Sequence, residues 1–456
     1  MQSEKQYIDL FNAQRGAIEK HSADVMNAVR QRAFDDFCRI GFPTKKVERY
    51  RYTDVPSLFA PEDYGLNINR LNIPVNPYQA FRCDVPNLTV SPYFVINDSF
   101  YKKTEGEEQA SSKRKDYLPE GVIVGSLRDE ASKNPHFIEK FYARIAKTSD
   151  DGVTALNTML AQDGLLVYVP RCVRVDNVIQ VINILRSDVD LMINRRVLIV
   201  VEEGAEVKLL FCDHAVDDRR FLTTQVIETY VGERASVELY CMEETHYKNV
   251  RVSNLYIEQQ RDSRVAHHSL TLHNGITRNR TDLMFKGEGA ECVLNGCVIA
   301  DREQHVDNNT LIDHQVPNCQ SRELYKYVLD EKAVGAFAGR VLVREGADKT
   351  SSQETNQNLL ATSEARMFTQ PELEIYADDV KCAHGSTVGQ LNDAALFYMR
   401  QRGISLEEAK LLLEFAFVGE IIDKITLTPL RDRLRYLVEK RFRGEFNKCG
   451  DCKFCK

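Results

Sequence analysis

Several features are scarce or missing in this 456-residue sequence. No apolar run approaches the roughly 20 residues that a membrane-spanning helix needs, so no membrane span is expected. The opening M-Q-S-E-K-Q-Y-I-D is polar and lacks the apolar stretch of a signal peptide. The expectation is a soluble, cytoplasmic protein. Positive charge is not in excess: the formal net charge is -7, with Lys and Arg dispersed. That argues against a nucleic-acid or anionic-membrane surface. No G-x-x-x-x-G-K-[ST] occurs, so the chain is not expected to bind or hydrolyse ATP. The G-E-G-A-E-C at 287–292 lacks the third glycine and following helix of a dinucleotide fingerprint, and reads as a β-turn. Disulfide-framework spacing is missing too. Of 12 cysteines, those from Cys38 to Cys382 are scattered singly and are expected to behave as small buried hydrophobes in a reducing compartment.

What is present falls into three regions, 1–150, 151–385 and 386–456. In the first, Val25, Ala28, Val29, Ala33, Phe37 and Ile40 recur at helical spacing until Gly41 stops them. A further helical stretch is expected near Pro135 to Lys147. The polar 102–116 segment reads as a surface loop. From about 152 to 382 the pattern changes to short strands rich in β-branched residues. Small turn motifs precede them: E-G-A-E-V at 203–207, E-R-A-S-V at 233–237, D-S-R-V at 262–265 and G-E-G-A-E-C at 287–292. More than 200 residues of strands without intervening helices exclude a doubly wound sheet. A stacked coil of strands, a β-helix, explains the register because each rung buries its apolar face against the next. A pair of β-sandwiches is the alternative.

After Gly389 the chain turns helical. Asn392 or Asp393 can cap one helix, Ser405 with Glu408 forms a capping box for a second, and Thr428-Pro429 starts a third. The middle helix is apolar on almost every side. Either it packs deeply on the strand domain or one face belongs to a partner.

Two cysteine patterns invite chemistry. Cys382 and His384 stand two residues apart, so an extended chain points both to one face, with Gly385 expected to let the chain turn. Two ligands do not complete a metal site; the remainder would come from elsewhere, another subunit included. Cys449, Cys452 and Cys455 follow C-x2-C-x2-C spacing without a fourth ligand, giving a candidate tail site for iron, zinc or a transferred cluster. His267, His268, His273, His305, Asp307 and His314 show no compact ligand spacing and are not expected to form a metal cluster.

Several blocks carry a family resemblance: G-F-P-T-K-K-V-E-R-Y-R-Y-T-D at 41–54, A-L-N-T-M-L-A-Q-D-G at 155–164, H-V-D-N-N-T-L-I-D-H at 305–314, S-R-E-L-Y-K at 321–326, Q-E-T-N-Q-N-L-L at 353–360 and P-E-L-E-I-Y-A-D-D-V-K-C-A-H-G-S-T-V-G-Q-L at 371–391. In them the chain resembles the SufD family, a scaffold subunit of the sulfur-mobilisation machinery that assembles iron–sulfur clusters. Tyr50 departs from the tryptophan usual in that family. The C-A-H-G argues for SufD over its sister SufB, which typically carries an E-H-E-A-type sequence there. The resemblance implies a non-enzymatic scaffold: a right-handed parallel β-helix core flanked by helical N-terminal and C-terminal domains. It implies a SufB-type partner, a SufC-type ATPase and a transient nascent cluster shared between subunits; for the chain in isolation the sequence leaves a homodimer open. His384, with Cys382 beside it, becomes the leading site residue, facing the partner's sulfur-accepting cysteine. Leu396, Leu406, Leu412, Phe415, Val418 and Ile421 fall in the implied ATPase dock. The rival from another class is an intracellular β-helix enzyme acting on carbohydrate, with Asp378 and Asp379 as its carboxylates.

Overall fold

The computed structural model describes residues 2–71, 76–77, 85–102 and 118–445. The expected 102–116 loop lies, beyond its first residue, outside them, as does the cysteine tail.

The strand region is a parallel β-solenoid of about 8 turns. Successive strands alternate between a ten-stranded and a nine-stranded sheet, so each coil contributes one strand to each. The turn motifs read from the sequence fall between strands, and Gly204 and Arg234 there adopt positive φ. Strands facing water on neither side need apolar residues on both, and both strands Val178–Leu185 and Leu191–Val201 are buried throughout. Between the sheets lies a core that includes Val181, Ile199, Leu209, Val237, Ile257 and Leu283. The N-terminal region adds a strand of its own, Val90–Ile96, which pairs with Val178–Leu185.

Helices cover both outer faces. Phe37, Leu156 and Met159, from helices Arg30–Ile40 and Gly152–Leu160, pack against Met192, Leu222 and Val252 of the nine-stranded sheet. Ile421, Leu430 and Leu434, from helices Leu406–Asp423 and Thr428–Phe442, pack on Leu210, Leu270 and Leu324 of the ten-stranded sheet. No described helix is long and apolar enough to cross a membrane. The capping expectations are met at Asn392, which accepts from the Ala395 N–H (3.0 Å), and at Ser405, which accepts from the Glu408 N–H (3.1 Å). The Glu408 carboxylate does not turn back on Ser405 but pairs with Arg443, which ties the second helix to the end of the third.

The 41–54 block is a strap on the solenoid. The Arg278 guanidinium sits 3.6 Å from the Tyr50 ring centroid, Arg49 pairs with Asp282, and the Thr53 hydroxyl donates to Asp307 at 2.6 Å. Tyr50 is buried as an aromatic packing group, and its hydroxyl donates to buried Asp151. Gly152 must be glycine here, because a Cβ would stand 1.9 Å from the Gly41 carbonyl oxygen.

The helix expected near Pro135 to Lys147 is cut short, running only Pro135–Glu139. The reason is tertiary. The N–H groups of Ala143, Arg144, Ile145 and Ala146 turn inward to the Glu228 carboxylate (2.8, 3.0, 3.2 and 3.1 Å), with Ala143 at positive φ. That carboxylate also takes a 2.5 Å ion pair from Arg196, both side chains being fully buried.

Of the six residues weighed as a metal cluster, His267, His268, Asp307 and His314 are buried, and His273 and His305 are half-buried. His268 stacks on Tyr240 at 4.9 Å between centroids, and His314 Nε2 lies 2.9 Å from the Ser321 hydroxyl. Burial pushes His267 down to about 3 and His268 and His314 down to about 4. In the folded chain they stay neutral while the unfolded chain takes up protons near its ordinary value of about 6.5. Their share of stability is therefore intact above that value and lost as pH falls from about 6.5 towards about 4. The melting temperature, followed by circular dichroism, should drop steeply across that window, and less steeply in His268→Gln.

Candidate functional site at the open end of the solenoid

One end of the solenoid is closed and the other is not. At the closed end both sheets finish in antiparallel pairings, Val90–Ile96 with Ser99–Phe100 and Ile123–Ser126 with Leu165–Val169. At the other end the ten-stranded sheet stops at Val380–Gln390 and the nine-stranded sheet at Arg366–Ile375. Val380–Gln390 pairs only with Thr350–Leu360, which leaves its outer edge without a strand neighbour among the described residues. Long, flat strand edges are templates for pairing with another chain, and native proteins normally blunt them. Around this one, Phe368, Ile375, Tyr376 and Val388 are exposed.

Cys382 and His384 lie on that edge strand. The chain does not turn at Gly385; the strand continues to Gln390, which pairs with Leu360. Alternation places the even-numbered residues on the solenoid's inner face, where Val380 and Cys382 pack with Val341, Val343 and Leu373. Cys382 is half-buried, and burial pushes its thiol up, against a lowering contact from the Ser352 backbone. At neutral pH it is a thiol, a weak nucleophile. His384 is exposed at the mouth of the coil. Ser386, the next residue on this face, lies 2.7 Å from the Thr369 hydroxyl across the mouth.

The inner face shows what the sequence reading did not find. Strand register stacks three columns: Ser321, Ser352 and Cys382; Glu323, Glu354 and His384; Tyr325, Asn356 and Ser386. The triplets S-R-E, S-Q-E and C-A-H occupy equivalent rungs of successive coils, and aligning them at the repeat length exposes the column of two glutamates under the histidine. Among the described residues no group of three or more His, Cys, Asp or Glu side chains is arranged to hold a metal ion. Asp378 and Asp379 sit in the exposed turn before the last strand, not in a groove.

The other cysteines split by position. Cys212, Cys292, Cys297 and Cys319 are buried, with Cys297 pushed up to about 12 and Cys319 to about 11 by burial, whereas Cys38 and Cys172 are exposed. The residues of the implied dock also divide. Val418 and Ile421 are buried against the ten-stranded sheet, Leu396 is buried, and Phe415 is partly buried against the same cluster. Leu406 and Leu412 face solvent at 38% and 40% exposure, next to Phe397 and Tyr398 at 65% and 60%, which the sequence reading passed over.

Comparison with known proteins adds the family. The model "SUF system FeS cluster assembly, SufBD core domain" matches residues 184–417, and "SufBD protein N-terminal region" matches residues 1–181. This chain belongs to the SufBD family. An iron–sulfur cluster assembly SufBD family protein of Synechocystis is 28% identical over 429 residues, covering 90% of each chain. The iron–sulfur cluster assembly protein SufD of Escherichia coli is 34% identical over 183 residues, 40% of this chain and 43% of that protein. SufD of Bacillus subtilis is 25% identical over 328 residues, 70% and 74% of the two chains. The open end of this SufBD solenoid is thus the end that carries the C-A-H-G block.

Proposed function

We propose that the chain is a non-enzymatic scaffold subunit of a cluster-assembly complex, and that its open end is where a SufB-type subunit joins it. The observation that carries this is the uncovered strand Val380–Gln390 with His384 exposed on it. A second solenoid ending in a similar edge strand continues the sheet by main-chain hydrogen bonds, and the apolar rim of Phe368, Ile375, Tyr376 and Val388 is buried as it does so. His384 then lies at the seam. Its imidazole supplies one borderline ligand to a nascent cluster whose other ligands come from the partner. Cys382, turned inward and protonated, is the weaker candidate. The cluster is cargo, handed on after assembly. Without the SufB-type partner, the same edge accommodates a second copy of this chain, giving a homodimer.

The ATPase in this reading docks on the solvent side of the C-terminal helices, through Phe397, Tyr398, Leu406 and Leu412. Val418, Ile421 and Leu430 hold those helices to the solenoid from beneath. Lys326, almost fully buried, adds a bond to the Phe417 carbonyl (3.0 Å) and an ion pair to Glu420 (2.6 Å). Leu412→Asp therefore places a charge on a side chain that is 40% exposed to solvent. The expected outcome is loss of co-purification with a SufC-type ATPase while the far-UV dichroism and melting temperature stay unchanged. Retained binding would refute the dock. A carbohydrate-active enzyme, the rival from another class, finds no support in the paired aspartates of an exposed turn.

A further inference from the structure

Glu323 and Glu354 are buried acids with no ion-pair partner among the described residues. They are register partners on neighbouring strands, Gln320–Leu329 and Thr350–Leu360, with both side chains on the inner face. Strands lie about 4.8 Å apart, so the two carboxyls stand one above the other. Their exposures are 3% and 1%. Among the described residues both Glu354 oxygens lack a hydrogen-bond partner, and the contact made to Glu323 is the Thr310 hydroxyl. Buried acids left in this state are costly, and native proteins pair them or use them to hold a cation.

The facing sheet is shaped around them. Gly339 lies opposite, and a Cβ there would stand 2.3 Å from Glu354 Oε1, so the missing side chain is what admits the carboxyl. Thr310, from strand His305–His314 and 1% exposed, brings its hydroxyl to the Glu323 carboxyl, a contact that favours the ionised form against burial. Phe337 and Tyr325 close the apolar surround. Burial holds both carboxyls above the usual range, against the Thr310 contact at Glu323, and the charges of Glu323 and Glu372 raise Glu354 further. Among the described residues no arginine or lysine pairs with them, whereas buried Asp213, Glu228 and Asp282 all have one.

The geometry points to a divalent-cation site made by Glu323, Glu354 and the Thr310 hydroxyl, one rung inside the open end and beneath His384. Two carboxylates and a hydroxyl form an oxygen set for a hard or borderline cation such as Mn2+ or Fe2+, and exclude the soft cations that need thiolates. Two acids and a hydroxyl also fall short of three His, Cys, Asp or Glu ligands, in keeping with the lack of any such group here. Binding exchanges the carboxyl protons for the metal's charge, so protons leave as the cation enters. The site belongs wholly to this chain and does not depend on a partner subunit or on the assembly reading.

The test is anaerobic titration of the full chain with Mn2+, following the free aqueous ion by electron paramagnetic resonance. Wild type is expected to take up one Mn2+ per chain. Glu323→Gln and Glu354→Gln, which keep shape and lose charge, should weaken that uptake about tenfold or more, and Gly339→Ala should do the same by displacing the Glu354 carboxyl. Glu364→Gln, in an exposed turn, should leave it intact. The glutamine variants' melting temperatures, at or above wild type, establish that they are folded. No uptake by wild type, or equal uptake by the glutamine variants, would overturn the site and leave the pair as two proton-holding acids. Co-purification of a SufB-type partner does not depend on this outcome, so the two readings fail separately.

Discussion

His384→Ala is expected to leave the chain folded and its complex assembled, and to lower cluster transfer to an acceptor apoprotein by roughly 10- to 100-fold, the range seen when groups that orient or tune a metal site are removed. The fold is spared because the imidazole is exposed at the mouth of the last coil. The edge that would pair with a second subunit is main chain, so truncating one side chain leaves its hydrogen-bonding groups in place. The checking measurement is anaerobic reconstitution with the SufB- and SufC-type subunits, reading both gel-filtration elution and cluster absorbance. Unchanged cluster yield would remove His384 from the site. Cys382→Ser should do less, since its half-buried thiol packs among Val341, Val343 and Leu373.

The largest loss of stability is expected from Glu228→Ala. That carboxylate receives four backbone N–H groups and the Arg196 guanidinium, and the two charged side chains are fully buried. Removing one partner of a buried pair costs about 3–5 kcal/mol, because the other charge is left uncompensated. The four N–H groups of Ala143–Ala146 lose their acceptor as well, and each orphaned buried donor adds to the loss. Thermal or urea unfolding checks this. Glu228→Gln keeps an acceptor oxygen and should cost less. A drop below about 1 kcal/mol in the alanine variant would mean that water reaches the nest.

The elements legible from sequence were those specified locally. Gly41 marks a helix end through its backbone freedom, Asn392 and Ser405 through side-chain oxygens that accept from their own helices, and the E-G-A-type turns marked the coil period before any pairing was known. The length of the segment after Pro135 was not legible, since its helix is stopped by a glutamate on a strand far along the chain. Gly385 misled for a similar reason: its capacity to turn goes unused because the preceding strand gives it a register partner, Thr355. At the site, the pairing of Cys382 and His384 on one face followed from alternation alone. That the face looks into an open coil, above Glu354 and Glu323, depends on which residues lie one repeat earlier. The apolar middle helix offered two outcomes, and both are realised on opposite sides: Val418 and Ile421 bury, while Leu406 and Leu412 do not.

The central claim is that the Val380–Gln390 edge is a subunit junction. A photo-reactive amino acid at Thr387, exposed on that strand, tests it most directly when the full chain is irradiated in its native host and cross-linked peptides are identified by mass spectrometry. The account predicts cross-links to the terminal strand of a SufB-type subunit. A SufB-type subunit that co-purifies without cross-linking there, and cross-links instead to a probe elsewhere on the solenoid, would contradict it.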